Sequence, residues 1–185
     1  KATSAASWIG SLGTIAMGSG KWYWEVVYGG GNSSFGIGQL NNGATETVNM
    51  STENSGYSSK YSRGYEFSKS HSNIKKINND TAVNYGSAPS DGDIMMVAFD
   101  ADNGTIWVGN GGTWFASATE AEIEAGTVDN AMYSSINMDE PYLATASIEN
   151  DDLIYNFGNP PYANSSSVAD ENGYGAFKYS VQMAF

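Results

Sequence analysis

The stretch Gly92-Asp93-Ile94-Met95-Met96-Val97-Ala98-Phe99-Asp100-Ala101-Asp102-Asn103-Gly104-Thr105-Ile106-Trp107-Val108-Gly109-Asn110-Gly111-Gly112-Thr113-Trp114 reads as strand, turn, strand, turn, strand. Its first arm is almost wholly apolar, which predicts a position near the middle of a sheet. Asp102-Asn103-Gly104 and Asn110-Gly111-Gly112 supply the residues that tolerate positive φ in tight hairpin turns. A chain whose most legible segment is a double hairpin is expected to be all-β. The segments on either side agree. Lys21 to Tyr28 places Trp22, Trp24, Val26 and Tyr28 on one face and Tyr23, Glu25 and Val27 on the other. That alternation predicts one buried face and one partly solvated face. Residues 34–40 (SFGIGQL) read as the partner of that strand, and Gly36 and Gly38 leave room there for another backbone or a large ring.

Further strands are expected at residues 141–148 and 153–157, with short ones at 64–67 and 81–85. Helix is scarce. Residues 117–125 (SATEAEIEA) have the propensity, and Ser117 followed three residues later by Glu120 predicts a capping box. Residues 41–91 read as a long polar interval of variable loops, and residues 164–175 as a polar loop. No internal repeat and no linker divides the chain, so residues 1–185 are expected to form one domain. Its core should cover about 20–162, with a loop-rich tail over 163–185.

Composition narrows the function. The chain has 185 residues, of which 41% are hydrophobic and 13% aromatic, enough to build a core. Eight basic residues face 20 acidic ones, a net charge of −12. Such a surface repels polyanions, so neither nucleic acid nor an anionic membrane is an expected partner. No apolar run reaches the ~18 residues of a membrane span, and no membrane insertion is expected. With no Cys, disulfides and thiolate metal sites are excluded. The opening Lys1-Ala2-Thr3-Ser4 has neither an initiator Met nor a signal-type apolar core, which suggests a processed protein or one piece of a longer one.

Catalysis has little to draw on. His71 and Arg63 are the sole residues of their types, and His71 sits in the polar run Ser68-Lys69-Ser70-His71-Ser72-Asn73, which reads as surface rather than as a catalytic base. Glu120, Glu122 and Glu124 are the densest carboxylates, but no aromatic lies between them to seat a sugar, and a solvated acidic face is expected. Asp100 to Gly104 lacks calcium-loop spacing and reads as a turn; Asp139-Glu140 and Asp151-Asp152 are weak candidates for adventitious Ca²⁺. No cofactor and no resident metal are expected. The aromatics carry more. Trp22, Trp24 and Trp107 read as core. Tyr57, Tyr61 and Tyr65 recur every fourth residue around Arg63 in a polar stretch, and with Trp114 after its turn they are the candidate ligand-binding residues. Tyr and Arg combine contact area with polar reach at small entropic cost.

In order along the chain, Gly20-Lys21-Trp22-Tyr23-Trp24-Glu25-Val26, Phe35-Gly36-Ile37-Gly38, the hairpin from Gly92 to Trp114, Pro141-Tyr142-Leu143 and Tyr155-Asn156-Phe157-Gly158 with Pro161-Tyr162 resemble the strands of SPRY (B30.2-like) domains. The match runs from about Gly20 to Tyr162. The version is similar to SPRY-like modules of bacteriophage tail fibres and other virion proteins, and the ending Asp170-Glu171-Asn172-Gly173-Tyr174-Gly175-Ala176-Phe177 resembles that subgroup. The resemblance implies an antiparallel two-sheet β-sandwich of the concanavalin-like jelly-roll kind, with no reaction centre. It implies a virion-surface, extracellular location and a host-surface glycan or receptor as partner, held by edge loops in residues 41–91 and 114–141. The alternative is a structural or decoration subunit packed on neighbouring virion proteins; a homo-oligomer within an appendage fits either, and a polysaccharide hydrolase is the least favoured reading. Residues 41–91 depart from the family in length and composition, so no binding loop is carried over there.

Overall fold

The computed structural model describes residues 1–4, 9–39, 64–70, 73–78 and 81–180. Among them are the strands β1 (Ala2–Ser4), β2 (Ile9–Leu12), β3 (Lys21–Tyr28), β4 (Asn32–Gly38), β5 (Gly64–Ser70) and β6 (Asn73–Asn78). They continue with β7 (Thr81–Asn84), β8 (Ile94–Asp100), β9 (Thr105–Asn110), β10 (Thr113–Trp114), β11 (Leu143–Glu149) and β12 (Asp151–Asn156). One short helix, α1 (Glu120–Ala125), lies between β10 and β11. The strands form two six-stranded antiparallel sheets, in the orders β1-β12-β3-β8-β9-β10 and β2-β11-β4-β5-β6-β7. The protein is an all-β sandwich.

The double hairpin forms as read. Asp100 pairs with Thr105 and Met95 with Asn110, and β8 lies inside its sheet. Gly111 (φ +61) and Gly112 (φ +84) make the second turn, both in the left-handed region that a primed two-residue hairpin turn needs. The Asp100 carboxylate braces the first turn by accepting from the backbone N–H groups of Asp102 and Asn103, each at 3.0 Å, and from Asn103 Nδ2 at 2.8 Å.

Alternation explains the layer between the sheets. Trp24, Val26 and Tyr28 of β3, Val97 and Phe99 of β8, and Ile106 and Val108 of β9 meet Phe35 and Ile37 of β4, Phe67 of β5, and Ala144, Ala146 and Ile148 of β11. Each large apolar side chain removed from water in this way stabilises the fold by about 1.5–3 kcal/mol.

Several expectations need correction. Residues 34–40 do not pair with β3. The chain crosses after Tyr28 to the opposite sheet, where β4 lies between β11 and β5. Gly36 serves the close approach expected of it, but to β5: a Cβ there would overlap the Tyr65 carbonyl and lie 2.9 Å from Glu66 Cα. Gly36→Ala should therefore lower stability by about 1–3 kcal/mol, the range for overpacking, read as a fall in the urea midpoint. The short strands expected at residues 64–67 and 81–85 form as β5 and β7, but a further strand, β6, lies between them, and the three make a meander that is half of the second sheet. Tyr65 accordingly lies on a strand.

The second face of β3, expected to be partly solvated, is covered at its centre, with Lys21 and Val27 at its ends partly exposed. Tyr23 and Glu25 are buried there, in a layer with Met96, Ala98, Trp107, Trp114, Ile123 of α1, and Phe177. The helix also starts two residues later than expected. Its N-cap is Thr119, whose hydroxyl accepts from Glu122 N (3.2 Å) while the Glu122 carboxylate accepts from Thr119 N (2.7 Å). Ser117 stands in a preceding 3₁₀ turn with φ +65. The Thr119 backbone N–H, then the Thr119 hydroxyl, holds the Glu122 carboxyl below its usual range, so the middle glutamate is a capping group.

Candidate functional site

Along one margin of the sandwich, where β12 and β1 of one sheet lie opposite β11 and β2 of the other, the layers part into a cleft. Its middle hollow, about 330 Å³, is lined by Gly13, Ile15, Met17, Trp22, Trp24, Ala144 and Phe157, among others. It shares Gly13, Ala144 and Phe157 with a hollow of about 190 Å³ that reaches Ser11 and Tyr155. On the other side it shares Trp22, Tyr23 and Phe157 with one of about 360 Å³ that reaches Asp170, Tyr174 and Phe177. Phe157 lines all three.

The rings are set by their strands. Tyr155 and Phe157 follow one face of β12, and Phe157 comes just past its end, before Gly158-Asn159-Pro160-Pro161, which cannot extend the ladder. Phe157 stacks on Tyr155, with ring centroids 5.8 Å apart and planes at 16°, and leans over Trp24 at 6.1 Å. Tyr155 reaches across the layers and donates from its hydroxyl to the Thr145 carbonyl at 2.5 Å, tying the two sheets together at the cleft. Phe157 nevertheless keeps 48% of its surface exposed. Trp22 is half-buried and donates from Nε1 to the Ser19 carbonyl at 2.8 Å. Ile15 (52% exposed) and Tyr174 (73% exposed) form the rims. Tyr174 sits on a turn that Asp170 closes by accepting from Tyr174 N at 2.7 Å.

One wall of the cleft, residues 174–177, is held by Glu25. This carboxylate is fully buried. Oε1 accepts from Lys178 N (2.8 Å), Tyr179 N (2.9 Å) and the Tyr23 hydroxyl (3.2 Å). Oε2 accepts from Asn156 Nδ2 (3.0 Å) and the Tyr162 hydroxyl (3.2 Å). The charge thus rests on oriented N–H and O–H dipoles. Burial, then the Glu25 charge, pushes the Tyr162 phenol up to about 12 and the Tyr23 phenol well above its usual value. A phenol that stays neutral when folded contributes stability that is intact below the ordinary pKa near 10 and is lost as pH climbs through the folded value. Stability should begin to fall above about pH 10 and be largely lost as pH passes about 12, with the buried phenols Tyr23 and Tyr162 ionising together with unfolding; gradual ionisation of these two in the folded chain, followed by tyrosine-to-phenylalanine difference titration, would contradict their burial.

Of the candidate binding residues, Tyr65 and Trp114 do not line these hollows. Tyr65 is half-buried and packs on Tyr133 (5.1 Å, 66°) and Tyr142 (6.0 Å). Trp114 is 8% exposed and meets Tyr23 edge-on at 6.4 Å. Tyr57, Tyr61, Arg63 and His71 lie outside the described residues. Trp24 and Trp107 are core residues as read, while Trp22 is at the cleft. The cleft residues Phe157, Tyr155, Tyr174 and Ile15 were not singled out; the one available signal was the pair Tyr155 and Phe157 on a common face running into a Pro-Pro stop. Among the described residues, no group of three or more His, Asp or Glu side chains is placed to hold a metal. Asp152 carries an ion pair with Lys1 at 2.8 Å.

Fold and cleft together define an all-β sandwich with an aromatic edge site. No protein-family model matches the chain, and no curated protein matches it.

Proposed function

We propose that the chain is a non-catalytic recognition module of the SPRY-like kind, carried on a phage virion, and that it grips a host-surface glycan or receptor at the sandwich edge. The observation that carries this reading is the half-exposed Phe157 ring, backed by Tyr155 and Trp24, at the junction of three hollows. Ligand sites are typically concave and mostly apolar, with a few fixed polar groups, and rigid sheets supply the preorganisation. Among the described residues the cleft lining carries one carboxylate, Asp170, whereas glycoside hydrolysis commonly uses two across the scissile bond, which favours binding over cleavage.

The test is retention of the chain on host-envelope polysaccharide. Phe157→Ala is expected to abolish most of it, and Tyr61→Ala with Arg63→Ala reports whether that pair shares the work. A chain that shows no free-ligand affinity, and instead buries roughly 1,200 Å² or more against neighbouring subunits in an intact particle, is a decoration protein. The exposed Val83 on the edge strand β7 is what favours that second reading.

A further inference from the structure

Resting on the recognition reading above, we propose that the edge cleft takes an uncharged hexopyranose chain and discriminates against anionic polysaccharides. Three independent features converge on that class. The first is the presentation of the rings. Phe157 lies nearly parallel to Tyr155 in an offset stack, which fixes the plane of its ring, and the residue keeps about half its surface open. A pyranose has a complementary flat face of C–H groups. It packs on a fixed aromatic plane without the rotamer loss that a flexible aliphatic wall would suffer.

The second feature is polarity. Asp170 brings carboxylate oxygens to the rim, and these accept hydrogen bonds from sugar hydroxyls. The lysines nearby are already engaged: Lys21 Nζ donates to the Glu124 carbonyl, and Lys1 pairs with Asp152. Carboxylate and phosphate ligands are held by Arg forks and free ammonium groups, and among the described residues the cationic side chains that line the hollows are Lys1 and Lys21. The third is the long-range field. A net charge of −12 repels a polyanion before contact, while a neutral chain feels no such barrier. The middle hollow shares lining residues with a hollow on each side, and Phe157 lines all three, which suits a chain of several residues over a single monosaccharide.

The experiment titrates the full chain, by intrinsic tryptophan fluorescence and calorimetry, with short oligosaccharides of glucose, mannose, galactose and N-acetylglucosamine. Oligogalacturonate is the anionic counterpart. The expected result is saturable binding of at least one neutral series, weakened about tenfold or more by Phe157→Ala and retained by Phe157→Tyr. The thermal midpoint of Phe157→Ala should stay close to the parent's because the ring is half exposed, and Tyr174→Ala gives a second variant whose folding is not in question. Tighter binding of oligogalacturonate, neutral binding insensitive to both variants, or a peptide occupying the cleft in their place would overturn the proposal. If host envelopes are retained in a Phe157-dependent way but no neutral oligosaccharide competes, the ligand class is wrong and recognition at the cleft survives. If envelopes are not retained at all, both readings fall.

Discussion

The Glu25→Leu chain should unfold at a far lower denaturant concentration than the parent, with about 4 kcal/mol or more of stability lost. Five donors, Tyr23 Oη, Asn156 Nδ2, Tyr162 Oη, Lys178 N and Tyr179 N, converge on one buried carboxylate. Leucine removes the acceptor from all of them at once, and a buried donor left without a partner costs about 1–3 kcal/mol. Domains of this size have a total stability of only ~5–15 kcal/mol, so the loss is a large fraction of the whole. Glu25→Gln keeps the shape and one acceptor oxygen but turns an amide N–H₂ toward donors, so a smaller loss is expected. The two backbone donors belong to residues 178–179, next to Phe177, which packs edge-on against Tyr23 at 5.1 Å. Loss of the carboxylate should therefore free that segment first, seen as early proteolysis within residues 164–180 and a red shift in tryptophan emission. Stability within about 1 kcal/mol of the parent would refute this account of Glu25.

Trp24→Ala is the second large effect. Trp24 is 1% exposed in the layer between the sheets and also floors the cleft beneath Phe157. Truncating a buried Trp costs about 3–5 kcal/mol, the lost transfer energy plus the cavity left behind. The same substitution removes the support that keeps Phe157 in place, so ligand affinity should fall with stability. Trp24→Phe separates chemistry from size. Among the described residues the indole N–H has no hydrogen-bond partner, so replacing it forfeits none of these bonds and should cost much less than Ala. Thermal unfolding of the two variants checks this. Equal losses for Phe and Ala would mean that the indole N–H, and not the packed volume, sets the cost.

These two residues also mark how much could be read beforehand. Alternation in β3 and the turn chemistry after Asp100 are local signals, so those elements, their inward faces and the all-β class were legible. Which sheet β4 joins was not, because pairing partners leave no trace in a strand's own period. Glu25 follows the outward phase of β3, and alternation cannot say whether an outward face meets water or, as here, a segment more than 150 positions later. β6 was missed because Asn73-Ile74-Lys75-Lys76-Ile77-Asn78 looks polar. In the fold, Lys76 lays its ammonium over the Tyr133 ring at 5.0 Å and donates to the Met132 carbonyl at 2.7 Å, contacts available only once the layers assemble. Thr119-Glu120-Ala121-Glu122 and Ser117-Ala118-Thr119-Glu120 are overlapping cap frames, and the downstream one prevails because it places Ile123 toward the sheet. The cleft was least legible of all, since a Trp or Phe at a sheet margin has the same sequence signature as one at its centre.

The pairing of Ala2 with Leu153 and of Ser11 with Ala146 ties the earliest strands to the latest ones. A growing polypeptide on the ribosome can close its double hairpin early, but β1 and β2 must wait as unpaired ribbons until β11 and β12 emerge. Such wide sequence separation places refolding in the slow, millisecond-to-second regime of β-rich chains. It also means that premature termination before β11 strips two strands of their neighbours together, leaving raw backbone edges of the kind that seed aggregation.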